Sequence, residues 1–311
     1  MLHSLGYRGT IKRVGKRSEN RTRMFGYGYN YQNISISDLL SKPERPFLVT
    51  IFKENYLSTM ARLNEEEGHN NILVIHDHRD ISKKVIPFIK NKWKVITIRK
   101  TVQQYLYNKF GLESLFLFQP FYPYPINATK DHLKKKGAVS ISRISFEKNT
   151  DLIIRTNNLM DRQDDLIKLY GCPSRMYVHL FLGGFDGDFK KYYYGIFDKS
   201  FVALSNILNS AKFVVDLSVL KHEGGGTQYP FLEATYNGCA MILHRKWIEN
   251  ADKKYCDFKE GYNCFAVENE GELADLIRKD PNTDSVVKNA KKLLNRHIEI
   301  KSEWSKIGLS L

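Results

Sequence analysis

Cysteine is scarce: the 311 residues hold four, Cys172, Cys239, Cys256 and Cys264, with no Cys-x-x-Cys pair among them. That spacing excludes a zinc ribbon and a disulfide framework and favours reduced thiols in a cytoplasmic setting, a host's cytoplasm if the chain is viral. No run of about 18 apolar residues occurs, which excludes a membrane-spanning helix, and the first residues lack an apolar signal core. Acid is short as well. The 34 Asp and Glu stand against 48 Lys and Arg, leaving +14 and calling for an anionic partner such as nucleic acid, a nucleotide or an acidic surface. What is present is aromatic and apolar: 18 Tyr, 18 Phe and a 42% hydrophobic fraction exclude a disordered chain. At roughly 150 residues per domain, the length allows about two domains.

The first 33 residues read apart from the rest. Arg8, Lys12, Arg13, Lys16, Arg17, Arg21 and Arg23 face the single acid Glu19 and run into Gly26-Tyr27-Gly28-Tyr29-Asn30-Tyr31, with no helical or strand period. A basic arm with stacking aromatics suits a nucleic-acid backbone, and a solvated tail or flap fits the same composition. From Phe47 on, apolar runs predict strands at Phe47–Phe52, Ile72–Ile75, Lys94–Ile98 and Leu115–Phe118, with helices at 54–67, 80–91 and 101–110 between them. Such alternation implies crossover connections and a parallel sheet. Three prolines in Pro120–Pro125 then mark a stiff linker. A second α/β pattern follows, with strands at 138–142, 175–182, 212–217, 239–243 and 263–267 and helices at 147–160, 200–210, 228–237, 270–279 and 283–297. The expected architecture is two doubly wound parallel-sheet domains facing a cleft, with ligands at the carboxyl ends of the strands.

Three segments carry chemistry. A strand at Ala138–Ile141 ends in Arg143, with Lys148 five residues later at a helix entrance. An Arg fork and a Lys point charge there can clamp a diphosphate, although the same charges suit an ordinary surface turn. The second segment runs from the strand Val214–Leu217 through Gly224-Gly225-Gly226 into a helix beginning near Thr227 or Gln228. Amides without side chains at a helix N-terminus form an anion site with Thr227 as its cap, and Glu233 lies about one and a half turns further along, placed to grip ribose hydroxyls. A flexible loop before a core helix, with Glu233 facing solvent, is the plainer alternative. In the third segment the buried strand Ile72–Ile75 stops at His76-Asp77-His78-Arg79-Asp80. Two histidines and one carboxylate fall short of a metal site, so no metal is expected, and loop-capping polar groups are the competing reading.

Together these segments resemble the family-four branch of retaining glycosyltransferases with the GT-B fold, over roughly residues 47–300. The resemblance implies that Arg143 and Lys148 hold the diphosphate of a nucleotide-sugar. It further implies that Gly224, Gly225, Gly226 and Thr227 bind the phosphates and Glu233 the ribose. Gly261-Tyr262-Asn263-Cys264 follows the family's Gly-x-Asn-Gly stretch with Cys264 in place of the second glycine. A further departure is Gly225, which stands where the family has a second Glu, eight residues before Glu233; Glu223 is offered only as a loose substitute. His76-Asp77-His78 after a hydrophobic strand, and the missing Glu, are also similar to the DNA α-glucosyltransferases of T-even phages.

The expected activity is retaining transfer of a hexose or pentose from a nucleotide-sugar, UDP-glucose or related, to an acceptor hydroxyl. Arg143 and Lys148 stabilise the departing diphosphate, Asp77 takes the acceptor proton, and His76 orients it or binds the sugar. A hydroxymethylated pyrimidine in double-stranded phage DNA is one acceptor, bound through Arg8, Lys12, Arg13, Lys16 and Arg17. A glycan, protein or lipid acceptor is the alternative, and a nucleic-acid-binding protein with a transferase fold but no catalysis is the third reading. The expected organisation is an acceptor-side domain over 1–125, a nucleotide-sugar domain over 126–295, and a helix in 296–311 returning to the first domain.

Overall fold

The computed structural model describes residues 10–14, 22–41, 48–49, 57–65, 71–126, 135–183, 186–220 and 224–307. The chain divides into two compact units, Met1–Tyr122 with Arg296–Leu311, and Pro123–Asn295. The division falls inside the proline-rich stretch, where fixed φ angles and missing N–H donors keep the chain out of either sheet.

The first unit holds two sheets. Strands β1 (Thr10–Val14), β2 (Arg23–Gly26) and β3 (Tyr29–Ile34) form a mixed sheet in the order β1-β3-β2, with β1 parallel and β2 antiparallel to β3. This corrects the expectation of an arm without strand period. Tyr27 (φ 50°) and Gly28 (φ 78°) both sit in the left-handed region, as a tight hairpin between right-twisted strands requires. The second sheet runs β4 (Leu48–Val49), β5 (Ile72–Ile75), β6 (Lys94–Thr97) and β7 (Leu115–Phe116), all parallel. It is covered on both sides, so β5 reads as an unbroken apolar run rather than an alternation. Leu73 and Ile75 pack with Val85, Ile89, Val102 and Leu106 on one side. Ile72, Val74 and Ile96 meet Ile300, Trp304 and Ile307 from the chain's end on the other. Trp304 Nε1 donates to the Phe118 carbonyl at 2.9 Å, and His297, wholly buried, makes a 2.7 Å hydrogen bond to the Gln119 carbonyl. The single helix expected over 80–91 is instead a 3-10 turn, His78–Asp80, and a short helix, Ile86–Ile89, with Pro87 in its first turn.

The second unit is one five-stranded parallel sheet in the order β12-β11-β10-β8-β9. Its strands are β8 (Ala138–Ser140), β9 (Ile167–Leu169), β10 (Phe213–Asp216), β11 (Ala240–His244) and β12 (Phe265–Val267). The strand expected over 175–182 is a helix, Arg175–Leu180, and the strand of that region is β9. The run Met176–Leu182 has strand-like composition, but Ser174 caps it as a helix by accepting from the Tyr177 N–H at 3.5 Å. Its apolar residues Met176, Leu180 and Phe181 remain exposed.

Candidate functional site

Lys148 is the centre of the second unit's site. The loop after β8 passes close to Gly171, at φ +146°, where a Cβ would collide with the Ser142 carbonyl oxygen. A 3-10 turn, Phe146–Lys148, follows, and Asn149 in the left-handed region ends it. Asn149 Nδ2 donates to the Leu217 carbonyl at 2.9 Å and the Val219 N–H to the Glu147 carbonyl at 3.0 Å, fastening this turn to the end of β10. The buried Lys148 ammonium consequently meets three oxygens: Asp216 Oδ2 at 2.8 Å, Ser218 Oγ at 2.7 Å and Gln228 Oε1 at 2.9 Å. An ammonium has three protons, so all are engaged. Asp216 is 2% exposed and also accepts from the Ser218 N–H at 3.1 Å and from the Ser218 hydroxyl. Pairing on this scale offsets the cost of taking a cation and a carboxyl group out of water.

Gln228 places this lysine at the head of the helix Tyr229–Tyr236, where aligned peptide dipoles favour negative charge. Gln228, not Thr227, is the N-cap residue, and Thr227 is buried beside it. Two of the three glycines are closely packed against the chain that follows. A Cβ on Gly224 would collide with the Trp247 carbonyl, and one on Gly225, at φ +69°, would lie 2.5 Å from Ala251 Cβ. The Gly225 N–H donates to the Trp247 carbonyl at 2.6 Å and the Gly226 N–H to the Gly224 carbonyl at 2.8 Å, so neither is bare as expected. Arg143 is exposed and forms no ion pair among the described residues. Glu223 lies outside the described residues.

Glu233 does not face solvent. Its carboxyl accepts from the Tyr124 hydroxyl, and burial pushes its pKa up to about 7 against the opposing pull of that hydrogen bond. Tyr124 also accepts from Asn237 Nδ2 at 3.1 Å and stacks on Phe201 with ring centroids 4.1 Å apart. Burial and the adjacent carboxylate push its own phenol well above the usual range.

In the first unit, the segment after β5 is tied together by its own side chains. Asp77 caps the 3-10 turn by accepting from the Arg79 N–H at 2.8 Å, and its oxygens take a fork from Arg79, with Nη2 to Oδ2 at 2.6 Å. Asp80 reaches back to the N–H groups of His76 and Asp77 at 3.2 and 3.0 Å, completing a capping box. Burial first, and Arg99 second, lower the His76 pKa to about 4, so its ring is neutral at pH 7. Among the described residues no group of three metal-type ligands converges. Of the basic arm, Lys12 is exposed and donates to Gln32 Oε1 at 3.0 Å across the β1–β3 pair, and Arg13 lies on β1. Arg8, Lys16 and Arg17 lie outside the described residues. Sequence reasoning reached Lys148 and Glu233 but missed Asp216, Gln228 and Tyr124, the groups that hold them; the acid ending a buried strand was the available signal for Asp216.

Two α/β units with parallel sheets, the second carrying a lysine at the head of a helix beyond its central strand, have the fold of GT-B glycosyltransferases. Among solved structures, HepE from Anabaena in complex with UDP and glucose aligns with a TM-score of 0.66 and 13% identity, over 90% of this chain and 86% of that one. TarM from S. aureus, in complex with Fondaparinux, alpha-GlcNAc-glycerol and UDP, gives 0.60 and 18%, over 88% of this chain and 58% of that one. An alpha-glucosyltransferase in complex with UDP-glucose and DNA containing an abasic site gives 0.59 and 11%, over 88% and 85%. No family model and no curated protein sequence matches the chain.

Proposed function

We propose that the protein is a retaining glycosyltransferase that moves a sugar from a UDP-sugar to a hydroxyl group, with a hydroxymethylated pyrimidine of duplex DNA as the acceptor. The observation that carries the first part is the buried Lys148 ammonium at the head of the helix bearing Glu233. In this reading the diphosphate replaces Gln228, the half-buried and uncharged partner, while Asp216 and Ser218 keep the ammonium aimed. Arg143 closes on the same phosphates from the loop after β8, and charge developing on the leaving oxygen is met by groups already in place. Glu233 holds the ribose. Asp77 receives the acceptor proton, with Arg79 fixing the carboxylate and the neutral His76 orienting the hydroxyl.

The DNA acceptor is supported by the +14 charge and by the DNA-bound structure among the neighbours. A single incubation tests both parts: UDP-sugars with plain or hydroxymethylcytosine-containing duplex DNA, read by UDP release and by nucleoside mass. The expected result is UDP release with UDP-glucose, and a hexose increment on the modified nucleoside alone. Release without the increment moves the acceptor to a glycan, protein or lipid. No release with any UDP-sugar removes the enzymatic reading.

A further inference from the structure

The proline-rich stretch between the units reads in the sequence as a stiff linker, yet its middle residue is among the most deeply buried aromatics of the second unit. Tyr124 is 1% exposed. Its ring stacks on Phe201, its carbonyl accepts from the Tyr236 hydroxyl, its hydroxyl accepts from Asn237 Nδ2 at 3.1 Å, and that hydroxyl's own proton goes to Glu233 Oε2. Four contacts for one linker residue, three of them to the helix turn of Glu233, Tyr236 and Asn237, are more than a spacer needs. Flanking Pro123 and Pro125 restrict the backbone that delivers it.

We propose that Tyr124 is a positioning residue of the nucleotide site, holding the Glu233 carboxylate by one oxygen so that the other is presented to the ribose hydroxyls. This rests on the reading of Glu233 as the ribose ligand. The chemistry is that of a shared acceptor: a carboxylate has four lone-pair sites, the phenol takes one, and vicinal hydroxyls can occupy others only while the group is ionised. A protonated carboxyl would turn one of those sites into a donor. Burial favours that protonated form and the Tyr124 hydrogen bond opposes it. Tyr124 comes from the linker, Tyr236 and Asn237 from Glu233's own helix and its end, Ser205 from the helix Phe201–Ser210, and Lys135 is committed to the carbonyls of Leu208 and Ala211. No charged side chain is among the causes that set Glu233's ionisation.

The test is UDP binding by calorimetry from pH 5.5 to 8.5 for the wild type, Tyr124→Phe, Glu233→Gln and the double variant. Tyr124→Phe keeps the ring stack and removes the hydroxyl, which is both the donor to Glu233 and the acceptor for Asn237 Nδ2. Glu233→Gln serves as the reference for titration of the ligand's own terminal phosphate. Wild-type affinity should rise through pH 7 as Glu233 ionises. Tyr124→Phe should weaken UDP by about 3- to 10-fold at pH 7, the range of one ordinary hydrogen bond, and move the midpoint to higher pH. In the Glu233→Gln background the same change should have no further effect. Unchanged affinity and midpoint in Tyr124→Phe, beside a weakened Glu233→Gln, would overturn the positioning role and leave the ribose reading intact. Full UDP affinity in Glu233→Gln would overturn the ribose reading and this inference with it.

Discussion

The two units bury their titratable groups in opposite senses. The first unit encloses two histidines as neutral rings: burial lowers both His76 and His297 to a pKa of about 4. The second encloses charge, keeping Lys148 and Asp216 as a hydrogen-bonded pair, and raises Glu233 to about 7 where no cation meets it. The same physical cause, loss of water, thus gives one unit groups that resist protonation and the other a carboxyl that seeks it. What separates them is the job each can do. A buried ammonium already balanced by a carboxylate can exchange a neutral partner for phosphate, with the anion's own dehydration offset by the new charge pairing. Neutral rings beside a strand tip can orient a hydroxyl without competing for the anion.

The sharpest way to break this contrast is at Lys148. Replacing it with Met leaves the Asp216 carboxyl in the core without its cation, which should cost about 3–5 kcal/mol of unfolding free energy. The rate of transfer should fall on the order of 10²–10³-fold. Adding Asp216→Asn should restore most of the stability and none of the rate, measured by denaturant unfolding and UDP release. If stability and rate return together, Lys148 is only a structural cation.

Acid should then separate the units. A histidine held at about 4 in the fold and near 6.5 when unfolded contributes stability that is complete above pH 6.5 and is lost as pH falls towards 4. Between pH 6.5 and 5 that loss is about 2 kcal/mol for each of His76 and His297. Glu233 has the opposite sign. Its fold-state pKa of about 7 lies above the unfolded value, so its stabilising contribution is full below about 4.5 and is lost as pH rises to 7. Asp80 in the first unit and His244 in the second shift against their unit's trend, and burial is the leading cause in each. Hydrogen exchange at pH 7 and pH 5, corrected for intrinsic rate, should show β5 and β6 losing protection while β10 and β11 keep theirs. Equal losses in both units would erase the distinction.

How far the sequence exposed this arrangement depends on the range of the interactions. Strands β5, β10 and β11 are legible because a strand covered on both faces must be apolar throughout, and Ile72–Ile75, Phe213–Val215 and Ala240–Leu243 are. The helix Arg175–Leu180 is not, since its composition is that of a strand and one cap decides it. The mixed sheet at the start is missed because a basic, polar strand pair has no apolar face to announce it, although Gly26-Tyr27-Gly28 was a turn signal. Within the site, Lys148 and Glu233 stand out as charges beside apolar runs. Their partners do not. Asp216 is 68 residues from Lys148 and Tyr124 is 109 from Glu233, separations at which only the folded sheet order brings groups together. At Gly224 and Gly225 the pressure against side chains comes from Trp247 and Ala251, which a reading of the loop alone does not reveal.

The smallest expected change in stability is at Asp77, and it sharpens the contrast most cleanly. Asp77 is 16% exposed at the side chain and Arg79 52%, so their pairing is of the surface kind, worth about 0–1 kcal/mol. Asn is as good an N-cap as Asp and can still accept from the Arg79 N–H, so Asp77→Asn should lower unfolding free energy by less than about 1 kcal/mol. An amide takes up no proton at neutral pH, however. If Asp77 receives the acceptor proton, sugar transfer should fall on the order of 10²–10⁴-fold, the usual contribution of a positioned general base. UDP affinity, which the proposal assigns to the second unit, should stay as it was. Parallel unfolding, UDP calorimetry and transfer assays on this one variant decide it: a folded protein that binds UDP normally and still transfers at the wild-type rate returns Asp77 to the role of a cap.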